Sequence, residues 1–395
     1  MIAGYPIPEA GAIYLDHHAS TPLLPEVLEA MEPWFERGYG NPSNTLHAFG
    51  RDARKAVEWA REQVAALINA EPRQIIFTSG ATEANNLALR GFMNTQHSSS
   101  ALLISELEHE SVAQPAEQLN RAGYPGFKIA GDSTGMITPE AVHDALRSAV
   151  GTNSEPKLIS VIAVQGEIGT INPMMRISEA GHEFGTVVHT DAAQAVGKIP
   201  VDVDAWNVDL LTIAAHKMYG PKGIGALYTR ERDLLKPILY GADHEDGLRP
   251  GTENVPYIVG FGAACRTLAA DLESEAARQR RLRDRLWEWI RNEIPDARLN
   301  GHPQQRHPGN LHFSLPDINS VELVRQLPQY ALSVGSACHS DNPMENPLIE
   351  TLGIPGRYAQ GSIRIGLGRA NTEQQLRQFA QDLAVAYKLT TGSAT

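Results

Sequence analysis

Short apolar runs recur through the middle of this sequence, each followed by a helix-like stretch, and that alternation leaves few architectures open. Gln74-Ile75-Ile76-Phe77-Thr78, Ala101-Leu102-Leu103-Ile104-Ser105, Leu158 to Val164 (LISVIAV), Thr186 to Thr190 (TVVHT), Leu210-Leu211-Thr212-Ile213-Ala214 and Gly225-Ala226-Leu227-Tyr228 all read as buried strands. Short, continuously apolar strands separated by helices predict an α/β domain, with a mostly parallel sheet covered on both faces. In such sheets the chemistry sits in loops at the carboxyl ends of the strands. A chain of 395 residues is too long for one typical domain. The pattern changes after about Cys265, where a long charged helix runs to near Pro295. Strand-like pieces then appear around Leu311-His312-Phe313-Ser314 and Ile363-Arg364-Ile365, and a helix begins at Glu373. The expected division is a large domain over 22–265 and a smaller α+β domain over 266–395, with residues 1–21 packed onto the smaller one.

Charge excludes one class of partner. With 34 basic and 46 acidic residues the net charge is −12, so no electrostatic footprint for nucleic acid exists. The one basic run, Arg278 to Arg285 (RQRRLRDR), belongs to a segment in which Leu282, Leu286 and Ile290 recur every four residues. It reads as an amphipathic helix with a solvated basic face. The two cysteines, Cys265 and Cys338, form no CxxC pair, which excludes a zinc ribbon or thioredoxin motif and fits a reducing, cytoplasmic setting. No metal site is expected. The first residues lack the basic and apolar regions of a signal peptide. No apolar run approaches the ~18 residues of a membrane helix.

Several segments carry residue types suited to chemistry. Ser79-Gly80-Ala81-Thr82-Glu83, between a strand and a helix, makes a cup for one phosphate from free N–H groups and the helix dipole, or else an ordinary cap by Ser79 or Thr82. No GxGxxG or GxxxxGK[ST] fingerprint accompanies it. Asp191, in His189-Thr190-Asp191-Ala192-Ala193-Gln194, ends a buried strand and needs a partner there: a cationic ring nitrogen, or the next helix as a cap. Lys217 follows an apolar strand in the tight loop His216-Lys217-Met218-Tyr219-Gly220-Pro221-Lys222-Gly223. Desolvation there would favour the neutral amine that forms a Schiff base, the alternative being a surface lysine. Cys338, within Gly335-Ser336-Ala337-Cys338-His339-Ser340-Asp341, reads as an accessible thiol with a histidine neighbour, whereas Cys265 lies in an apolar helical stretch and reads as core. Arg364, inside a strand pattern, would be satisfied by a bidentate carboxylate. A one-phosphate cup, a ring-pairing Asp, a Schiff-base Lys, a carboxylate-binding Arg and a thiol together describe pyridoxal-phosphate (PLP) chemistry on an amino acid.

Between Tyr14-Leu15-Asp16-His17-His18-Ala19-Ser20-Thr21-Pro22 and Arg369 the sequence also carries Gly40-Asn41-Pro42-Ser43, Ser79 to Asn86, Glu108-His109, Asp191-Ala192-Ala193-Gln194, the Lys217 loop, Gly251-Thr252-Glu253-Asn254 and Ser336-Ala337-Cys338. In these motifs and their order it resembles the class V aminotransferase family and, within it, the cysteine desulfurases. The resemblance implies a fold-type-I PLP enzyme working as a homodimer with its two sites at the subunit interface. It implies that Lys217 forms the Schiff base, His109 stacks on the pyridine ring and shuttles protons as a catalytic residue, Asp191 pairs with the ring nitrogen and Gln194 reaches the phenolic oxygen. Ala81, Thr82 and His216 would hold the phosphate, with Thr252 supplied by the neighbouring subunit. Asn41 and Arg364 would bind the substrate carboxylate, and Cys338 would accept sulfur. Two positions depart from the family. Gln165 and Gly166 stand where two asparagines are usual, and Ala214 replaces a serine that touches phosphate. The implied activity converts L-cysteine to L-alanine and passes a Cys338 persulfide to a sulfur-acceptor protein. Leu248 to Asn254 and Ser333 to Asp341 are also similar to selenocysteine lyases, which gives L-selenocysteine as the alternative substrate. A PLP-fold scaffold or regulator without turnover is the third reading; Gly166 and Ala214 hint at it, while the joint presence of Lys217, Asp191, His109 and Cys338 argues against it.

Overall fold

A computed structural model describes residues 11–335 and 347–392. The chain enters through a short strand, β1 (Ile13–Tyr14), followed by helices α1 (Pro25–Glu36) and α2 (Ala48–Leu67). The alternating part comes next: β2 (Ile75–Thr78), α3 (Ala81–Asn86), β3 (Ser100–Ser105), α4 (Glu110–Arg121), β4 (Gly126–Ile129), α5 (Pro139–Gly151), β5 (Glu155–Ser160), α6 (Met174–His182), β6 (Val187–Asp191), α7 (Val203–Trp206), β7 (Leu210–Ala214) and β8 (Gly225–Thr229). These strands form a seven-stranded sheet in the order β2-β8-β7-β6-β5-β3-β4. Only β8 runs against its neighbours β2 and β7, and the remaining pairs are parallel.

Alternation along each strand explains why helices cover both faces. Ile75, Phe77, Leu103, Ile159, Leu211, Ile213 and Tyr228 pack into one core, with Val57 and Val64 of α2 and Val142 and Leu146 of α5. Their sequence neighbours Ile76, Leu102, Ile104, Leu158, Leu210 and Leu227 face the other way, into a second core with Leu87 and Val112. Successive side chains point to opposite faces of a strand, so a run apolar at every position needs two apolar covers.

Helix α8 (Val255–Ala269) returns to the first core, where Cys265 is buried. Beyond it lie α9 (Leu272–Glu293), β9 (Arg298–Leu299), β10 (Asn310–Ser314), α10 (Ser320–Arg325), β11 (Tyr330–Ala331), β12 (Ser333–Val334), α11 (Pro347–Thr351), β13 (Ser362–Gly366) and α12 (Glu373–Thr391). A four-stranded sheet, β12-β13-β10-β9, forms here. Its separate core joins Leu286, Ile290, Phe313, Ile363, Ile365 and Phe379. Leu15 belongs to that core, and β1 pairs with β11, so the N-terminal segment is fastened to this part of the chain.

Two sequence expectations shift. The strand expected over Leu158 to Val164 ends at Ser160. Val161 and Ala163 still donate to the His189 and Asp191 carbonyls at 3.1 and 2.9 Å. The intervening Ile162 amide is taken by the Glu108 carboxylate at 2.6 Å, and the pairing of β5 with β3 ends at Ser160. The basic face of α9 is also only partly solvated. Arg283 is buried and donates to the His307 carbonyl at 2.9 Å, and Arg278 donates to the carbonyls of Gly368, Arg369 and Asn371. These guanidinium groups tie α9 to the loops around it.

Candidate active site

A cavity of about 1060 Å³ opens at the carboxyl ends of the parallel strands. Its wall is assembled from the segments at the strand ends: Ser79 to Thr82 after β2, Leu107 to Ser111 after β3, Gln165 to Glu167 after β5, Asp191 to Gln194 from β6, and Ala214 to Lys217 from β7. His18 and Arg364 close it from the N-terminal segment and the smaller sheet.

Asp191, the last residue of β6, is buried and fixed by two donors. Asn85 Nδ2 donates to Oδ2 at 2.8 Å, and the Ala193 amide donates to Oδ1 at 3.0 Å. Asn85 also donates to Ser111 Oγ at 2.8 Å, and Ser111 Oγ lies 2.8 Å from His109 Nδ1. His109 caps α4, with Nδ1 accepting the Ser111 amide at 3.1 Å. One polar chain thus runs from the Asp191 carboxylate to the His109 ring. Neither Asn85 nor Ser111 is singled out by the sequence alone; Asn85 lies inside a family motif, but nothing local shows that it reaches a residue 106 positions away.

Lys217 donates from Nζ to the main-chain carbonyls of His18 at 2.6 Å and Ala19 at 2.9 Å. Burial, and then the Arg364 charge, lower its pKa to about 8, against the pull of Asp191 and Asp16. At neutral pH roughly one amine in ten is therefore free to act as a nucleophile. His216 beside it is held neutral, its pKa pushed down to about 4 by burial and then by Lys217. Gln194 turns its Oε1 toward His18 Nδ1 (3.1 Å) and Lys198 Nζ (2.9 Å). Glu108 accepts from Ser105 Oγ at 2.7 Å, and burial raises its pKa to about 8, so it is a neutral acid beside Asp191 at pH 7.

Ala81 and Thr82 begin α3, whose N-cap Gly80 gives no side-chain cap. The cap by Ser79 or Thr82 that stood as the alternative is not formed. The first-turn N–H groups therefore remain as donors at the cavity. Arg364 meets Asp16 Oδ1 at 3.0 Å and Ser333 Oγ at 3.1 Å, while its Nε has no partner among the described residues. A carboxylate partner for Arg364 was expected, and Asp16 supplies part of it from within the chain.

Asn41 and Thr252 are exposed and stand outside this wall. Their loops meet each other: Ser43, whose amide donates to Asn41 Oδ1, has its Oγ 3.2 Å from His244 Nε2, and His244 Nδ1 accepts the Gly251 amide. Cys338 lies outside the described residues. At Gly166 an added Cβ would meet Gln194 only at 3.7 Å, so packing does not demand glycine and its missing side chain leaves room beside Gln194. Ala214 is buried at the wall near His216.

These features fit pyridoxal phosphate. A fixed carboxylate suits a protonated ring nitrogen, the open turn suits a phosphate, and Lys217 suits the aldehyde. Arg364, with its buried Nε unpartnered, still has donors for an anion. Among the described residues no cluster of three or more His, Cys, Asp or Glu side chains could hold a metal, and no helix is long and apolar enough to cross a membrane.

Comparison with known proteins agrees with this geometry. The profile of the family described as Aminotransferase class-V matches residues 13–379. The chain is 40% identical over 367 residues to a cysteine desulfurase IscS of Anaeromyxobacter dehalogenans (strain 2CP-C), covering 92% of this chain and 89% of that protein. It resembles a solved NifS-like protein with a TM-score of 0.88 at 30% identity, covering 96% of this chain and all of the other. A structure of SspA in complex with cysteine is similar at 32% identity and a TM-score of 0.77, over 90% of this chain and 98% of that one.

Proposed function

The chain belongs to the class V aminotransferase family, and we propose that it is a PLP-dependent cysteine desulfurase that converts L-cysteine to L-alanine. The observation that carries this reading is the meeting of Asp191, Lys217 and the open Ala81–Thr82 turn in one cavity, beside an arginine able to take a carboxylate. Relatives named cysteine desulfurase, and one solved with cysteine, support the substrate.

When bound, pyridoxal phosphate supplies an electron sink for the pair left at the substrate Cα. Asp191 would keep a proton on the ring nitrogen and so keep that sink strong. Ala81, Thr82 and His216 would hold the phosphate, and His109 would lie against the ring. Gln194 would donate to the phenolic oxygen. Lys217 would anchor the cofactor, and its Nζ, when free, would move the Cα proton. Arg364 and Asn41 hold the substrate carboxylate. The Cys338 thiolate attacks the substrate sulfur, forming an S–S bond as the C–S bond breaks. The products are alanine and a Cys338 persulfide for a sulfur-acceptor protein. A thiolate mechanism requires reduced Cys338 and fits the cytoplasm.

The same reading makes the protein a homodimer, because Thr252 and Asn41 lie off the cavity wall of their own chain and would complete a neighbour's site. Exposed Leu28, Phe35, Tyr39, Leu46 and Tyr240 support a covered surface. Sedimentation at micromolar concentration should give twice the chain mass; a fully active monomer would refute this arrangement.

The activity is tested by supplying purified protein with cysteine or selenocysteine and measuring alanine. With an added thiol reductant, which releases the Cys338 persulfide sulfur as sulfide, alanine equal to sulfide is expected from cysteine. Alanine from selenocysteine alone would move the assignment to a lyase, and none from either substrate would leave a scaffold.

A further inference from the structure

Gln194 is held from behind by a second lysine. Lys198 lies four residues on, in a turn closed by the Ala195 and Val196 amides donating to the Ala192 carbonyl at 2.9 and 3.0 Å. Its Nζ donates to Gln194 Oε1 at 2.9 Å and makes no ion pair among the described residues. In its protonated form this amine can only donate, and it is then the oxygen of the Gln194 amide that faces it. The same oxygen lies 3.1 Å from His18 Nδ1, which must then carry its proton. His18 Nε2 is left bare and buried, against the His307 ring at 4.5 Å. Gln194 Nε2 gives one hydrogen to the His18 carbonyl at 2.9 Å, and its second is free for the cavity. That His18 carbonyl also accepts Lys217 Nζ at 2.6 Å.

The groups that face Lys198 are bases, of which Lys217 and Arg364 are charged while burial holds the histidines neutral. His17 and His18 face it from the N-terminal segment, His216 and Lys217 from the loop after β7, His307 from the loop before β10, and Arg364 from β13. On its far side Glu275 and Arg369 line a small pocket with it. Glu275 is bound by Arg278 and Gln279, and Arg369 by Asp271. Burial, then Lys217 and Arg364, lower the Lys198 pKa to about 7. A buried lysine with no carboxylate of its own is costly in protein alone. An anion brought in from outside would relieve that cost and favour the protonated amine.

We propose that Lys198 is a positioning residue of the cofactor site: it turns the Gln194 amide so that its N–H faces the cavity, and it sets a positive charge behind the phenolic oxygen of the bound cofactor. The proposal rests on the reading of PLP held at Lys217. Its two effects have the same sign. A donor at the phenolic oxygen and a cation nearby both weaken the hold of the Schiff-base nitrogen on its proton, so both lower its pKa.

The experiment is a visible-absorbance pH titration of the resting holoenzyme, with no substrate. Lys198→Met should raise the midpoint by about one unit, the scale of one nearby charge removed from a partly buried site. Lys198→Arg, which keeps the charge, should stay close to wild type. Lys198→Gln drops the charge and keeps a polar group, and it decides in place of Lys198→Met if that variant does not fold or hold cofactor. An unshifted midpoint in whichever of these two folds overturns the proposal, since a merely structural role would lower the melting temperature and leave the titration alone. If the wild-type protein shows no borohydride-sensitive band, it is the cofactor reading that fails; a band present in wild type with an unshifted variant sinks only the role of Lys198.

Discussion

Alanine production from cysteine should fall by at least about 10³-fold when Cys338 is replaced by alanine, the scale on which loss of a covalent nucleophile acts. The C–S bond of cysteine does not break readily without an attacker at sulfur, and in the proposed reaction the only attacker is this thiolate. Cofactor binding depends on other residues, so Cys338→Ala should keep the visible spectrum and still change it on adding cysteine. Cys265 cannot substitute. It is buried in the α8 core, and burial pushes its thiol pKa well up. Selenium leaves more easily than sulfur, so residual alanine from selenocysteine in this variant is compatible with the mechanism. Desulfuration of cysteine at the wild-type rate would remove Cys338 from it.

Asp191→Asn should lower kcat by about 10²–10³-fold, which is what removing one preorganised charge from a reacting centre costs. The amide keeps the size of the carboxylate and one oxygen, so it retains one of the two donors, Asn85 or the Ala193 amide, and loses the other. Folding and some cofactor binding should survive. Without the negative charge the ring nitrogen loses its proton, and with it the pull on the Cα electron pair. Steady-state kinetics on cofactor-loaded variant protein give the comparison. Turnover near wild type would mean that the ring proton is kept by something other than Asp191.

The parts of this molecule that were legible in the sequence are those specified by local pattern. Continuous apolar runs identified strands with two covered faces, and the residues at their carboxyl ends, Asp191 and Lys217, do share one cavity. Parallel crossovers impose that placement whatever the side chains are. The residues that hold the site in shape were not legible, because each reaches its partner across the chain. Asn85 meets Asp191, His18 meets Gln194 at a separation of 176 positions, and Asp16 meets Arg364 at 348. A carboxylate for Arg364 was foreseen as a ligand group, and no periodicity or motif could reveal that the N-terminal strand would bring Asp16 to it. Arg283 misled for a similar reason. Its spacing on α9 put it on a polar face, but that face is covered by the His307 loop, whose carbonyl accepts from it, while Asp284 pairs with its charge.

The claim on which the rest depends is that Lys217 is the cofactor lysine. Apo protein mixed with pyridoxal phosphate across a pH series, reduced with borohydride and mapped by peptide mass, tests it directly. The adduct should sit on Lys217. Its rate of formation should rise about tenfold per pH unit through the acid range and level off near the lysine pKa of about 8, because only the free amine attacks. An adduct on Lys222 or Lys198, or a rate that keeps climbing toward the ordinary lysine value of about 10.4, would contradict the account.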